Sequence, residues 1–339
     1  AAALALTADK LATKRVLRAA GIATPDWLDG AAPDIPGPLI VKHATEHASF
    51  ALGPDSVVAD ATEARALMAA RRAEHGGRWF AEAFIDGREF NLSALDDGAG
   101  GCLVLPAAEQ VFDPRWPEHR PRIVDWASKW DPTDPVYPWA TRSFALGGDD
   151  APLVARMEAL VRRVWQVCGL AGYARVDVRV DRSGAPWVLE VNANPCLTPG
   201  MGLAATAEQA GLPFAALVER IGLAWLAELG LAPARLQVEA VDLGSIRLGE
   251  ARLGRHGTIG FRAAEATYEL DDLRHGRVET LIVEGLTLTA RPQNGSVAID
   301  GLDELLTVDG ERTGAPAQPA PIQPAQATRS TLPPLTITP

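Results

Sequence analysis

Three lysines stand where an ammonium group is costly unless something anionic meets it. Lys10 falls early in an apolar helical pattern, Lys129 in a stretch rich in proline and aromatic residues, and Lys42 directly after Leu39-Ile40-Val41. A cation at the end of such an apolar run lies against a core and calls for a negative partner. A triphosphate would serve; the plainer alternative, for any one lysine taken alone, is a solvated ammonium. A second set is written as two short alternating segments, Arg175-Val176-Asp177 and Glu190-Val191-Asn192. Residues two apart share one face of a strand, so pairing these segments gathers a guanidinium, two carboxylates and an amide oxygen in one patch. Hard oxygen donors in that number suit Mg²⁺ carrying a nucleotide phosphate, and the guanidinium can hold charge developing on a transferred oxygen. A cross-strand ion pair on a solvated sheet face would look the same in sequence.

The elements that must carry these groups follow from periodicity. Residues 8–20 repeat apolar positions at helical spacing up to Gly21, which predicts a helix bearing Lys10. Pro38 to Lys42 predicts a short buried strand, and Asp60 with Glu63 predicts a capped helix running to about Gly76. Trp79 to Phe84 and Glu89 to Leu95 read as two strands joined at Asp86-Gly87, a predicted hairpin. Residues 107–142 show no sustained period and are expected to form a long ordered functional loop with short strands. Pro152 to Cys168 predicts a helix stopped by Gly169. Tyr173 to Val180 and Trp187 to Val191, separated by Ser183 and Gly184, predict a second hairpin with charged groups on one face.

Beyond Leu236 the texture changes to apolar-polar alternation, with a helical pattern only around Glu265, so a β-rich region is expected at 233–310. From Thr313 prolines alternate with Ala, Gln and Thr, a composition that buries too little apolar surface to order itself. The net charge of −11 argues against a nucleic-acid partner, because phosphate-backbone affinity comes from basic surface. Cys102, Cys168 and Cys196 are too few and too widely spaced for a disulfide framework or a zinc site, which suggests a reduced, cytoplasmic setting. Glu219, Arg220 and Glu228 interrupt the most apolar stretch, Pro213 to Ala232, so it reads as an amphipathic helix and no membrane span is expected.

Taken in order, DKxxTK (Asp9 to Lys14), GIATP, PLIVKHATEHASFAL, FAEAFIDGREFN, DWASKWD, ARVDVRVD and LEVNANPCLTP resemble the ATP-grasp superfamily, in its D-alanine:D-alanine ligase-like branch, over residues 6 to about 225. The resemblance implies an α+β, two-lobe nucleotide-binding fold, with a small lobe at 1–75 and a hinge and large lobe at 76–232; the β-rich domain and a disordered tail at 311–339, expected from alternation and composition, follow it. It implies ATP with two Mg²⁺ ions, Mn²⁺ being able to substitute, and a carboxylate-amine ligase working through an acylphosphate. Its substrates would be the nucleotide, a small carboxylic acid and an amine. Lys10, Lys42 and Lys129 match the family's phosphate-contacting lysines. Glu82 with the backbone of Ala83, Phe84 and Ile85 matches the adenine hinge, and Glu89 the ribose carboxylate. Asp177, Glu190 and Asn192 match the magnesium ligands, and Arg175 the transition-state arginine, so Arg175 and Lys129 are the expected catalytic pair.

The sequence also departs from that family. Glu46-His47-Ala48-Ser49-Phe50 replaces a glycine- and serine-rich phosphate loop, leaving Ser49 as a phosphate donor on a stiffer backbone. His47 reads as a loop side chain and Cys196, where the family has glycine, as packing or a backbone donor. Trp130 stands in place of a tyrosine, and Met201 in place of the serine that grips the acceptor's carboxylate, so D-alanyl-D-alanine is not a safe product. The family carries a first domain ahead of its DKxxTK block, which here begins at Asp9; a fragment, a second chain supplying that domain, or function without it are the three expectations. Related ligases are often dimers, which makes a homodimer a further one. About Leu236 to Asp309, runs such as VDLGSIRLGEARLG more weakly resemble AsmA-like intermembrane proteins, while general strand alternation would produce the same texture. The competing functional class is therefore a non-catalytic ATP-grasp fusion whose β domain handles envelope lipids or binds a partner.

Overall fold

Asp9 starts the first helix that matters for the cleft. Its carboxylate accepts the main-chain N–H groups of Leu11 (2.9 Å) and Ala12 (3.1 Å), so that Lys10 opens helix α2 (Lys10–Ala19) behind a short α1 (Ala2–Thr7). The computed structural model describes residues 2–298, apart from 31, 229–230, 232–233, 243, 255–258, 270–277, 290 and 294–295, together with 336–338. It divides into two units, residues 1–211 and 212–339, and every residue singled out for chemistry falls in the first.

The first unit holds two antiparallel sheets. One contains β1 (Trp27–Leu28), β2 (Leu39–His43), β3 (Val57–Val58) and β4 (Trp79–Ala83) in the order β1-β4-β2-β3. Helix α3 (Ala61–His75) packs Ala64 and Met68 against Leu39, Val41 and Trp79 of that sheet. Asp60 caps it through the N–H groups of Thr62 (2.8 Å) and Glu63 (2.9 Å). Glu63 reaches back to the N–H of Ala59 (2.9 Å), as the sequence pattern anticipated to within one residue.

The second sheet contains β5 (Gly87–Asp96), β6 (Cys102–Val104), β7 (Ala108–Phe112), β8 (Ala140–Ser143), β9 (Tyr173–Asp181) and β10 (Pro186–Asn192), in the order β10-β9-β5-β7-β8 with β6 beside β5. A short α4 (Trp126–Trp130) lies between β7 and β8 in the chain. Period-two alternation sends Ala174, Val176, Val178 and Val180 into a core with Met157, Val161 and Val164 of α5 (Ala151–Cys168). Each fully buried valine or methionine side chain among these contributes about 1.5–3 kcal/mol of transfer free energy. The opposite face is thereby left to Arg175, Asp177 and Arg179. Helix α6 (Gly202–Gln209) closes the unit.

The predicted hairpin at Asp86-Gly87 does not form. Both edges of β4 are already taken, by β1 and β2, while β5 lies between β9 and β7. The chain instead crosses there from one sheet to the other, and Gly87 is needed because a β-carbon would collide with the Val180 carbonyl. The second predicted hairpin, β9 with β10, is present; the N–H and hydroxyl of Ser183 bond to Asp181, and Gly184 takes φ +83°.

In the second unit, α7 (Phe214–Glu228) is followed by β11 (Arg235–Val241), β12 (Ser245–Leu253), β13 (Ile259–Phe261), β14 (Ala263–Thr267), β15 (Thr280–Glu284) and β16 (Thr287–Leu288). β17 (Arg291–Gln293) and β18 (Ser296–Ala298) pair with each other, and β19 (Thr336–Thr338) pairs parallel with β15. Glu265 lies in β14, so the helical pattern noted around it gives way to alternation. Apart from 336–338, the proline-rich tail lies outside the described residues. Among the described residues no single helix is long and apolar enough to cross a membrane.

Candidate functional site

The charged face of β9 and β10 forms one wall of a cleft of about 650 Å³, and every site residue expected from the sequence lines it. The wall depends on an irregularity. Val188 pairs with Val178, but Glu190 pairs with Asp177 and Asn192 with Arg175, so one residue, Leu189, is extra. This bulge shifts the phase of β10: Val188 and Val191 both enter the core, while Glu190 and Asn192 face the cleft.

Two carboxylates, Asp177 and Glu190, therefore stand directly opposite each other, an arrangement that repels unless cations intervene. Nitrogen groups occupy that role. Arg175 holds Asp177 as a fork, Nε to Oδ1 at 2.7 Å and Nη2 to Oδ2 at 2.9 Å. Asn91 donates to Asp177 Oδ1 at 2.7 Å and is itself steadied by Gln110. Glu190 is met by His47 Nδ1 and, at 3.7 Å, by the Lys10 ammonium. Burial alone would raise the Glu190 pKa; Lys10, His47 and Arg175 outweigh it and hold the carboxyl at about 2. With its amide nitrogen toward Glu190 and its oxygen toward Arg175, Asn192 makes 3.2 Å contacts to both. Among the described residues no three His, Cys, Asp or Glu side chains close on one point. The two opposed carboxylates plus the Asn192 oxygen nevertheless fit a hard divalent cation in donor type, with Arg175 and Lys10 now supplying the positive charge.

The lysines are placed differently from one another. Lys42 Nζ lies 2.6 Å from Glu82 Oε1, so the anion demanded by its position is a side chain of the protein itself. Glu82 is only 1% exposed, and its other oxygen lies 2.6 Å from the equally buried Lys14, without hydrogen-bond alignment. Burial would raise the Glu82 pKa, but the two ammonium groups hold it below the ordinary carboxylate value; Lys14 is itself pushed down by burial, which Glu82 offsets only in part. Lys14, in the DKxxTK run but not among the expected site residues, also donates to Thr24 Oγ1 at 2.7 Å. Lys10 donates to the Glu46 carbonyl. Lys129 stands 5.3 Å from the Trp130 ring centre and forms no ion pair among the described residues; burial first, then Arg175, lowers its pKa.

The loop at 46–52 closes over this region with its backbone under strain. Ala48 (φ 59°), Ser49 (φ 62°) and Ala51 (φ 47°) all adopt the left-handed conformation that glycine takes freely. The loop is held by bonds to the α4 segment. The Ser49 hydroxyl donates to the Val124 carbonyl at 2.8 Å, Trp130 Nε1 to the Ala48 carbonyl at 2.9 Å, and the Trp126 N–H to the Leu52 carbonyl at 2.9 Å. Ser49 is thus engaged with the main chain. His47 comes from the same loop to reach Glu190.

At the sheet-to-sheet crossing, the N–H of Ala83 donates to the Asp26 carbonyl (2.8 Å) and that of Phe84 to the Pro38 carbonyl (2.9 Å). Arg179, 3% exposed, fastens the crossing to β9. It donates to Glu89 Oε2 from Nε (3.0 Å) and Nη2 (2.9 Å), to the Ile85 carbonyl (2.8 Å) and to the Arg122 carbonyl, and its guanidinium lies 5.0 Å from the Phe84 ring centre. Sequence reasoning passed over Arg179, although it continues the Arg175-Asp177 face by two residues. Cys196 is exposed, its thiol 3.2 Å from Thr198 Oγ1.

Residues 17–222 match the family model described as the D-ala D-ala ligase C-terminus. Among similar curated proteins, the D-alanine–D-alanine ligase of Methylococcus capsulatus is 32% identical over 227 residues, 65% of this chain and 66% of that protein. The D-alanine–D-alanine ligase of Synechococcus sp. strain JA-3-3Ab is 34% identical over 231 residues, 65% of this chain and 64% of that one. The match thus spans just under two thirds of the relatives' length. Among solved structures, the D-alanine–D-alanine ligase of Bacillus anthracis complexed with ATP aligns over 67% of this chain and 68% of its own, with TM-score 0.50 and 22% identity. The VanG D-Ala:D-Ser ligase of Enterococcus faecalis aligns over 65% and 62%, with TM-score 0.51 and 20% identity. At those identities the structural likeness concerns the α+β fold.

Proposed function

Because the chain belongs to the D-alanine–D-alanine ligase C-terminal family, we propose that its first unit binds ATP with divalent metal and acts as a carboxylate-amine ligase. The observation that carries this reading is the cleft wall on which Asp177 and Glu190 are held face to face, with Arg175, Lys10 and Lys129 around them. Opposed carboxylates repel unless positive charge compensates them, and a metal-bound polyphosphate would supply such charge from the cleft side.

The proposed roles follow from the contacts. The main chain around Ile85 borders the base, since the Glu82 carboxylate is engaged by Lys14 and Lys42. Glu89 keeps one oxygen free of Arg179 and can meet the ribose. Lys42, 19% exposed, can leave Glu82 for a phosphate without stranding that carboxylate, because Lys14 remains on it. Asp177, Glu190 and Asn192 would hold Mg²⁺, which supplies charge neutralisation of the phosphates. A substrate carboxylate oxygen attacks the γ-phosphorus, and the bond to the β,γ-bridging oxygen breaks to give ADP and an acylphosphate. An amine then attacks the acyl carbon, loses a proton and expels phosphate. Arg175 lies where it can hold the negative charge that forms on oxygen in both steps, and Lys129 can accompany the transferred phosphoryl group.

The test is the melting temperature of the full chain with and without Mg-ATP, using Lys129→Ala as the control, since no carboxylate loses an ion-pair partner in that variant. A ligand at about 100 times its Kd adds about 2.7 kcal/mol, several degrees for a unit of this size. The expected result is a rise that Lys129→Ala reduces, with ADP released when amino acids are supplied. No rise in the wild-type protein would overturn the reading.

A further inference from the structure

Two cations of the cleft, Lys129 and Arg142, form no ion pair among the described residues, and only Lys129 has a role in the reading above. Arg142, on β8 opposite Gln110 of β7, reaches the segment that leads into α6, beside Gly200 and Gly202. Its Nη1 donates to the Gly200 carbonyl at 3.1 Å, and its Nε is buried with no hydrogen-bond partner. The charge that acts on it is Arg175, of the same sign and already committed to Asp177. The two guanidiniums approach a common spot, because a β-carbon built on Gly202 would lie 3.8 Å from Arg175 Nη1 and 4.0 Å from Arg142 Nη2. Met201 offers that spot a thioether and no hydroxyl.

A partly buried guanidinium beside a second one, with an orphaned donor, is favourable only once an oxyanion is present. A planar guanidinium matches both carboxylates and phosphates with two parallel bonds, and the ligase reading already gives the phosphates to Lys10, Lys42 and Lys129. We propose that Arg142 is the recognition group of a carboxylate site at the start of α6, which admits amino-acid co-substrates through a free carboxylate gripped by arginine. The inference rests on the ligase reading for its substrate class. It makes Arg142 a specificity-determining residue, separate from the groups that meet the nucleotide.

The test uses two probes on the full chain in the presence of Mg-ATP: a mixture of the common free D- and L-amino acids, and the mixture of the corresponding carboxamides. Free acids should raise the melting temperature and amides should not. Arg142→Gln should weaken the response to free acids by about tenfold, Arg142→Lys by less, while the rise due to Mg-ATP alone persists. Equal responses to acids and amides in the wild-type protein would overturn the site without recourse to any variant. So would an Arg142→Gln protein that responds to acids as the wild type does, or one that instead loses its response to Mg-ATP, which would make Arg142 a phosphate contact. A response to free acids alone, with none to Mg-ATP, would strike the ligase reading and leave the carboxylate site standing.

Discussion

Lys14→Met isolates the most deeply buried charge cluster of the protein's first unit. Methionine keeps the stem of the side chain and removes the ammonium, 2.6 Å from Glu82 in a pair whose members are each 1% exposed. Removing one partner of a buried pair costs about 3–5 kcal/mol, because the other charge is left without compensation. Here Lys42 still touches Glu82 at 2.6 Å, which favours the lower end. The Thr24 hydrogen bond, worth about 1 kcal/mol, is also lost. A combined loss of about 4 kcal/mol lowers the melting temperature of a unit of this size by about 8–16 °C. Lys42→Met should cost only about 1 kcal/mol, since that ammonium is partly exposed and Glu82 keeps Lys14. Lys14→Met combined with Glu82→Gln removes both buried charges, and should recover at least half of the single-variant loss. Thermal and denaturant unfolding measure all three. Equal losses for Lys14→Met and Lys42→Met, or a double variant no more stable than Lys14→Met, would refute the argument that Lys14 is the standing counter-ion of Glu82.

Ala48 holds a left-handed backbone conformation, so Ala48→Gly should stabilise the protein. Relief of a left-handed alanine is worth about 1 kcal/mol or somewhat more, and the added unfolded-state entropy of glycine takes back about 0.5 kcal/mol or more. The melting temperature should therefore rise by about 1–3 °C. An unchanged or lower value would show that the loop is not strained at that residue. The Glu190 carboxyl is held at about 2 against an ordinary 4.5, so the unfolded chain binds its proton first. The stability this contributes is complete above about pH 4.5 and is lost as pH falls toward about 2. The difference in unfolding free energy between the wild type and Glu190→Gln should therefore shrink between about pH 5 and pH 3, and parallel curves over that range would contradict the ion pairing described.

Local signals in the sequence carried far, and failures came where partners are chosen at a distance. Asp60 with Glu63 announced α3, and the Ala174-Val176-Val178-Val180 alternation told which face of β9 is buried. The same alternation identified β4 and β5 but not that each finds its neighbours in a different sheet, since a period says nothing of which edges are vacant. Lys42 was legible as a cation needing an anion, but not that the anion is Glu82, which the family resemblance matches to the adenine hinge and whose two lysines are distant from it in sequence. The bulge at Leu189 had a trace in the text: Val188 and Val191, both buried, are three apart, which no regular strand allows. Arg142 carries no motif, and Arg179, although within the ARVDVRVD run, shows its role only when β9 is folded beside the sheet crossing.

The extra residue at Leu189 makes the chemistry of β10 a matter of counting. Two strands set the composition of the wall, but the offset between them decides whether Glu190 and Asn192 address the cleft or the core. Point substitution within β10 alters what is displayed; deletion of one residue would exchange what is displayed for what is hidden. Chain length between Val188 and Glu190 thus governs what the wall displays more strictly than the identity of the residue that provides it. A variant library of this strand would lose function through its shifted spacings before it lost function through Leu189 itself.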